Sequence, residues 1–226
     1  RSIGGKDLLN GKRFDKGGYI LTYDYDKWSF IDPKEAQKKL NLPRNPRDYT
    51  SIAVTTDDSN DEIVYASSMG DGVIQYKNGT PVQSYNEKNA FKETAGGYGS
   101  GYCYIDGLAF DKNGNLWMTS SEVNHAVLVL DKAGAWHRLD IEQLRGVYTI
   151  NDILITSTND KWIYVPRNTP KLVMIPNSES LDEVSSYEFT TLIDTDGKEL
   201  TPSNYTCVAE DKDGYIWVGT NRGAVY

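Results

Sequence analysis

The chain has 226 residues, 24 Lys plus Arg against 32 Asp plus Glu, and a formal net charge of −8. An acidic surface repels phosphate, which argues against general nucleic-acid binding and against an anionic membrane surface. Apolar runs extend over only a few residues, as at Ala126 to Leu130, too short for a transmembrane segment. The 16 Tyr, 5 Trp, 5 Phe and 20 Gly predict many short strands joined by tight turns. No secretory leader is legible at Arg1-Ser-Ile-Gly4, as expected of a mature or trimmed chain.

Taken in order, Gly18 to Tyr23 and Lys27 to Ile31 predict two paired strands around Asp24. Pro33 to Leu40 predicts a helix with Asp32 as its cap and proline in its first turn, ended by Pro43 and Pro46. Ile52 to Ser67 predicts two strands around Asp57-Asp-Ser-Asn-Asp61. A third, Gly72 to Tyr76, and a fourth, Pro81 to Tyr85, follow across Lys77-Asn-Gly79. Asn78-Gly-Thr80 and Asn204-Tyr-Thr206 match glycosylation acceptors, but the first reads simply as a type I′ turn. Gly96-Gly-Tyr-Gly-Ser-Gly101 lacks the Gly-Lys-Ser/Thr ending of a phosphate loop and leads into a strand, so it reads as a connecting loop.

Residues 108–120 run Leu-Ala-Phe-Asp-Lys-Asn-Gly-Asn-Leu-Trp-Met-Thr-Ser, and residues 208–220 run Val-Ala-Glu-Asp-Lys-Asp-Gly-Tyr-Ile-Trp-Val-Gly-Thr. Each is an apolar run, a turn with Gly, then a strand centred on Trp, which is a hairpin signature. Ile153 to Val165 repeats it more weakly around Thr158-Asn-Asp160. Third strands are predicted at Ala126 to Leu130, Lys171 to Ile175 and Gly223 to Tyr226. Fourth strands are predicted at Ala135 to Leu139, after Lys132-Ala-Gly134, and at Tyr187 to Ile193.

The equivalent positions Val64, Trp117, Trp162 and Trp217 lie 53, 45 and 55 residues apart. That is the period of a four-stranded propeller blade with loop insertions. The expected fold is an all-β β-propeller of four-stranded antiparallel blades, here a partial arc of about four to five blades forming one segment, 1–226. The blades fall at 14–32 (partial), 48–86, 102–141, 149–194 and 203–226 (partial). The three tryptophans are expected to pack between adjacent blades. The ends of such an arc expose apolar faces and strand edges. They are expected to be covered by a second copy, making a homo-oligomer, or by further blades.

Candidate chemistry is sparse. The Asp-Lys-(Asn/Asp)-Gly turns put Gly114 and Gly214 at the fourth position, not the sixth that a calcium loop needs, and the twelfth from Asp211 is Arg222, a cation. His125 and His137 have no metal-pair spacing, and Cys103 and Cys207 match no zinc pattern, so both cysteines read as buried thiols. No metal, cofactor or catalytic residue is expected. The alternative is an enzyme, a propeller-type polysaccharide lyase or glycosidase, whose acids would be Asp106 and Glu210.

The loops suggest a binding face instead. In a propeller, first strands line the central channel, and second-to-third-strand loops share a rim with fourth-to-first connections. Tyr98, Tyr102, Tyr104, Asp106, Asn151 and Tyr205 are therefore expected at the channel mouth, with Asp71, Arg167 and Arg222 on the same rim. Arginines beside tyrosines suit an anionic sugar or a carboxylate, which guanidinium binds through two parallel hydrogen bonds.

Asp211-Lys-Asp-Gly-Tyr-Ile-Trp-Val-Gly-Thr-Asn-Arg-Gly223 resembles the two-component regulator propeller repeat of bacterial sensors. Trp28 after a Gly-Tyr-Ile strand, Ile105-Asp-Gly-Leu-Ala-Phe110, Lys161-Trp-Ile-Tyr-Val-Pro166 and Gly219-Thr-Asn-Arg-Gly223 together resemble the PorZ-like surface propellers of the type IX secretion apparatus of Bacteroidetes. The resemblance implies a periplasmic or cell-surface module that binds a glycan or a protein without catalysis, as sensor input or as part of a secretion protein. Any signalling output would lie outside these residues.

Overall fold

The computed structural model describes the backbone of residues 7–9 and 12–14, and residues 19–92, 94–95, 101–182 and 184–225 in full. The fold is all-β and propeller-like, built of antiparallel up-and-down sheets. The chain divides into two compact units, Arg1–Leu108 and Ala109–Tyr226.

The first unit opens with two hairpins, β1 (Asp7–Leu9) with β2 (Lys12–Phe14), and β3 (Ile20–Asp24) with β4 (Lys27–Ile31). Helix α1 (Pro33–Leu40) follows as expected. The Asp32 carboxylate accepts the Lys34 N–H at 2.9 Å, and Asn41 ends the helix at φ 50°. Pro33 and Ala36, three residues apart on one face, are its buried residues. The first complete blade is β5 (Tyr49–Thr56), β6 (Glu62–Gly70), β7 (Gly72–Lys77) and β8 (Thr80–Tyr85), each paired with the next. Ile20, Tyr49, Val64, Ala66, Ile74 and Tyr76 form its core with Ala36. The buried Tyr49 and Tyr76 hydroxyls share a hydrogen bond of 2.7 Å. Burial pushes the Tyr76 phenol up to about 12, so both remain neutral hydrogen-bonding groups.

Strand β9 (Cys103–Phe110) runs from the first unit into the second. There β10 (Leu116–Ser120), β11 (Val127–Leu130) and β12 (Trp136–Leu139) pair in order. The next blade is β13 (Ile153–Ile155), β14 (Lys161–Val165), β15 (Lys171–Ile175) and β16 (Tyr187–Phe189). β17 (Leu192–Ile193) pairs with β18 (Glu199–Leu200). The last sheet is β19 (Tyr205–Glu210), β20 (Ile216–Thr220) and β21 (Gly223–Val225). The predicted fourth strand Tyr187 to Ile193 is therefore too long. It stops at Phe189, and Leu192–Ile193 turns into a separate hairpin.

Two of the three tryptophans pack between blades as expected. Trp117 is 1% exposed and joins a core with Ile163, Val165, Val173 and Ile175. Lys161, itself buried, holds its ammonium 4.5 Å from the Trp117 ring centroid. Trp162 stacks on Phe189 at 5.6 Å and packs against the cluster of Tyr164, Leu172, Tyr205 and Val218. Trp217 departs from the expectation: it is 40% exposed.

Among the described residues one turn recurs six times, beginning at Asp57, Asp111, Asp131, Thr156, Asp194 and Asp211. In each, the first residue's N–H donates to the fifth residue's carbonyl, and the fourth residue's N–H donates back to the first carbonyl. The fourth residue has positive φ: Asn60, Gly114, Gly134, Asn159, Gly197 or Gly214. This is a three-residue hairpin loop with a bulge, which needs one left-handed residue. By contrast, Asn78 and Gly79 both have positive φ, as the type I′ reading requires. The leading carboxylates of Asp57, Asp111, Asp194 and Asp211 each accept two N–H groups of their own turn. The acid organises the hairpin itself.

This gives a pH prediction. Hydrogen bonds from Lys77, His137 and Trp217, respectively, hold the carboxyls of Asp57, Asp131 and Asp211 below the ordinary range. Where the unfolded chain binds more protons, stability falls as pH falls. The contribution of these groups is complete above the ordinary carboxylate value, about pH 4, and is lost as pH drops through the depressed values. Denaturation midpoints measured from pH 6 to pH 2 are expected to stay level to about pH 4 and then decline. A midpoint that rises below pH 4 would contradict this.

Candidate ligand-binding face

The expected geometry of the loops recurs in each unit. In the first, the turn from β6 to β7 is Gly70-Asp71-Gly72, with both glycines at positive φ. It meets the start of β9, where Met69 pairs with Tyr104 and Gly70 with Cys103. In the second, the loop after β10 meets residues 146–150: Glu122 N–H donates to Val147 O, and Ile150 N–H to Ser121 Oγ. The loop after β14 meets the start of β19, with Tyr205 N–H donating to Pro166 O. The loop after β20 meets the same segment, with Asn221 N–H donating to Asn204 O. Within each unit these loops gather at the strand ends opposite the turns that begin at Asp57, Asp111, Asp131, Thr156 and Asp211.

Tyr102 and Tyr104 come together. Their rings meet edge to face at 6.3 Å. The Tyr102 ring packs close on Gly70, where a Cβ would stand 2.7 Å from it. Burial raises the Tyr102 phenol. Asp106 is half-buried on β9, and its carbonyl accepts the Ser67 hydroxyl at 3.1 Å. Tyr98 lies outside the described residues.

Asp71 is a correction. Its carboxylate takes the Arg44 Nε and Nη2 groups, both at 2.7 Å, and the Arg47 N–H at 3.2 Å. The segment after α1 thus consumes the acid that the sequence places on the rim. Arg44 and Arg47 were not anticipated; Pro43-Arg-Asn-Pro46 reads only as a helix stop.

In the second unit, Asn151 donates from Nδ2 to the Tyr164 hydroxyl at 3.2 Å, and its carbonyl accepts Thr119 Oγ1 at 2.9 Å. Tyr205 is a second correction. It is fully buried, packed with Tyr164, Leu172 and Val218. As the first residue of β19 it points into the sheet interface instead of the channel mouth. Arg167 and Arg222 are both exposed, each beside a loop residue bonded to the Asn204–Tyr205 segment. Among the described residues neither guanidinium has a carboxylate partner, whereas Arg44 and Arg145 are paired with Asp71 and Asp140.

The acids of the enzymatic alternative fare poorly. Glu210 sits at the turn end of β19 and accepts the Ser157 N–H at 2.6 Å. One of the two cysteines, Cys207, differs from expectation. Cys103 is buried, which pushes its thiol up to about 12 and leaves it unreactive. Cys207 is exposed. Among the described residues no group of three or more His, Cys, Asp or Glu could hold a metal. No described helix is long and apolar enough to cross a membrane.

Comparison with known proteins agrees with this architecture. Residues 199–222 match the two-component regulator propeller family. No curated protein matches the chain. Among solved structures it is similar to PorZ, a bacterial surface component of the type IX secretion system of Porphyromonas gingivalis. The identity is 18% and the TM-score 0.85, over 99% of this chain and 30% of that one. It is also similar to the extracellular domain assigned to a hybrid two-component system of B. thetaiotaomicron. There the identity is 16% and the TM-score 0.50, over 78% of this chain and 21% of that one. The chain thus carries a regulator-type propeller repeat and shares the PorZ fold, and it spans less than a third of either neighbour.

Proposed function

We propose that the chain is a non-catalytic, extracytoplasmic propeller segment that binds a ligand bearing a carboxylate, either an acidic glycan or an acidic protein surface. It would serve as the input part of a two-component regulator or as part of a PorZ-like surface protein. The observation that carries this reading is the pair Arg167 and Arg222. Both guanidinia are exposed, lack an internal acid among the described residues, and flank one short segment, Asn204–Tyr205. An arginine without an internal partner keeps its fork of donors for a planar anion. The regulator repeat and the PorZ fold support the non-catalytic part.

A glycan array containing acidic and neutral members, run beside a polysaccharide hydrolase and lyase screen, tests the reading. Acidic members are expected to bind, with no turnover. Removing one charge-assisted hydrogen-bonding partner costs roughly 1.5–3 kcal/mol, so Arg167→Ala and Arg222→Ala should each weaken binding about tenfold or more. Cleavage of any polysaccharide, or binding that both variants leave intact, would overturn it.

A further inference from the structure

A second site is built into the wall between β13, β14 and β19. Asp152, Ile153, Leu154, Tyr164, Cys207 and Val208 line a cavity of about 150 Å³. At about 30 Å³ for each water-sized group, it has room for some five heavy atoms. Its walls are mainly aliphatic, and its polar groups are the Asp152 carboxylate, the Tyr164 hydroxyl and the Cys207 thiol.

Asp152 is unusual in this acidic chain. It is solvent-accessible, yet protein atoms surround it closely enough that burial pushes its carboxyl above the ordinary range. A carboxylate inside a concavity satisfies both conditions. One of its oxygens takes the N–H of Ile153 at 3.0 Å. Among the described residues no Lys or Arg pairs with it, in contrast to Asp57, Asp71 and Asp140. Tyr164, whose hydroxyl accepts from Asn151, is nearly buried, and burial also raises its phenol, so it is a neutral wall. A carboxylate in a concavity, without a counter-ion and beside an aromatic residue and an aliphatic wall, favours one ligand chemistry. That is a cation carried on a short apolar stem, which is drawn by charge, by the ring and by hydrocarbon burial at once.

We infer that the Asp152–Tyr164 cavity is a binding site for a primary alkylammonium group. The ammonium would lie against the Asp152 carboxylate and the stem along Leu154 and Val208, which share the face of Tyr164. This goes beyond the carboxylate-binding face and does not depend on it, since neither Arg167 nor Arg222 lines the cavity. The same chemistry could come from a free amine or from a lysine side chain of a protein.

The test uses n-butylammonium chloride, with n-butanol as the uncharged probe of the same stem, in a titration followed by the methyl NMR signals of Leu154 and Val208. Butylammonium is expected to shift these signals saturably at pH 7, with butanol about tenfold weaker or worse. Asp152→Asn should remove the preference for the amine. A peptide amide with one central lysine, and its norleucine counterpart, separate the two sources. Saturation by the lysine peptide at lower concentration than butylammonium assigns the site to a protein partner, and the reverse order assigns it to a free amine. Equal responses to butylammonium and butanol, or an amine preference that survives Asp152→Asn, would overturn the site.

Discussion

Replacing Trp117 by alanine is expected to lower stability by about 3–5 kcal/mol, whereas Trp217→Ala should cost several-fold less. The two residues occupy equivalent places in the repeat. Each donates its indole N–H to the leading aspartate of its own turn, Trp117 to Asp111 at 2.9 Å and Trp217 to Asp211 at 2.7 Å. Their surroundings differ. Trp117 is 1% exposed, against 40% for Trp217. Truncating Trp117 opens a cavity in the cluster around Ile163 and Val173. It also removes one of the two side-chain donors to buried Asp111 Oδ2, leaving only Asn115 Nδ2 there, and takes the aromatic face from the Lys161 ammonium, whose burial already disfavours its charged form. Truncating Trp217 removes a surface that water already reaches. Urea denaturation of the two variants checks the contrast, and equal losses would contradict the packing described for Trp117.

Gly72→Ala should be the most damaging single-methyl change, at about 2–5 kcal/mol from backbone strain plus overpacking. Gly72 has φ +80°, and a Cβ there would stand 2.1 Å from the backbone oxygen of Tyr85 and 3.0 Å from the Phe91 ring. Backbone oxygen in the β7–β8 ladder cannot swing aside as a flexible side chain can. Gly79 is the internal control. It has φ +73°, but its added Cβ would meet nothing nearer than Ile31 Cδ1 at 3.9 Å. Gly79→Ala therefore carries the strain alone, about 1–2 kcal/mol. Similar denaturation midpoints for the two variants would show that the close approach at Gly72 is not what fixes that turn.

The repeat was legible because a turn closed by one aspartate and one left-handed residue has a strict local sequence requirement. The same logic could have found the turn from Asp194 to Lys198, with Gly197 at its fourth position, and hence the hairpin of β17 and β18. It was missed because Leu192–Ile193 continues the apolar run of β16. Helix α1 was legible from its cap and its proline. Side-chain direction was harder to read. Tyr205 starts a first strand, but whether its ring faces the channel or the neighbouring blade depends on packing against Tyr164 and Leu172, which lie far away in sequence. Asp71 was placed on the right loop. Its neutralisation by Arg44 joins residues 27 positions apart and leaves no local signature. Cys207 followed the ordinary preference of free thiols for burial, and the structure exposes it.

The most direct test of the binding face is amide hydrogen exchange, with and without the acidic glycan selected on the array. The reading predicts added protection in residues 166–170, 204–205 and 221–222, with the Asp-type turns at 156–160 and 211–215 unchanged. Protection confined to those turns, at the opposite ends of the same strands, would contradict it.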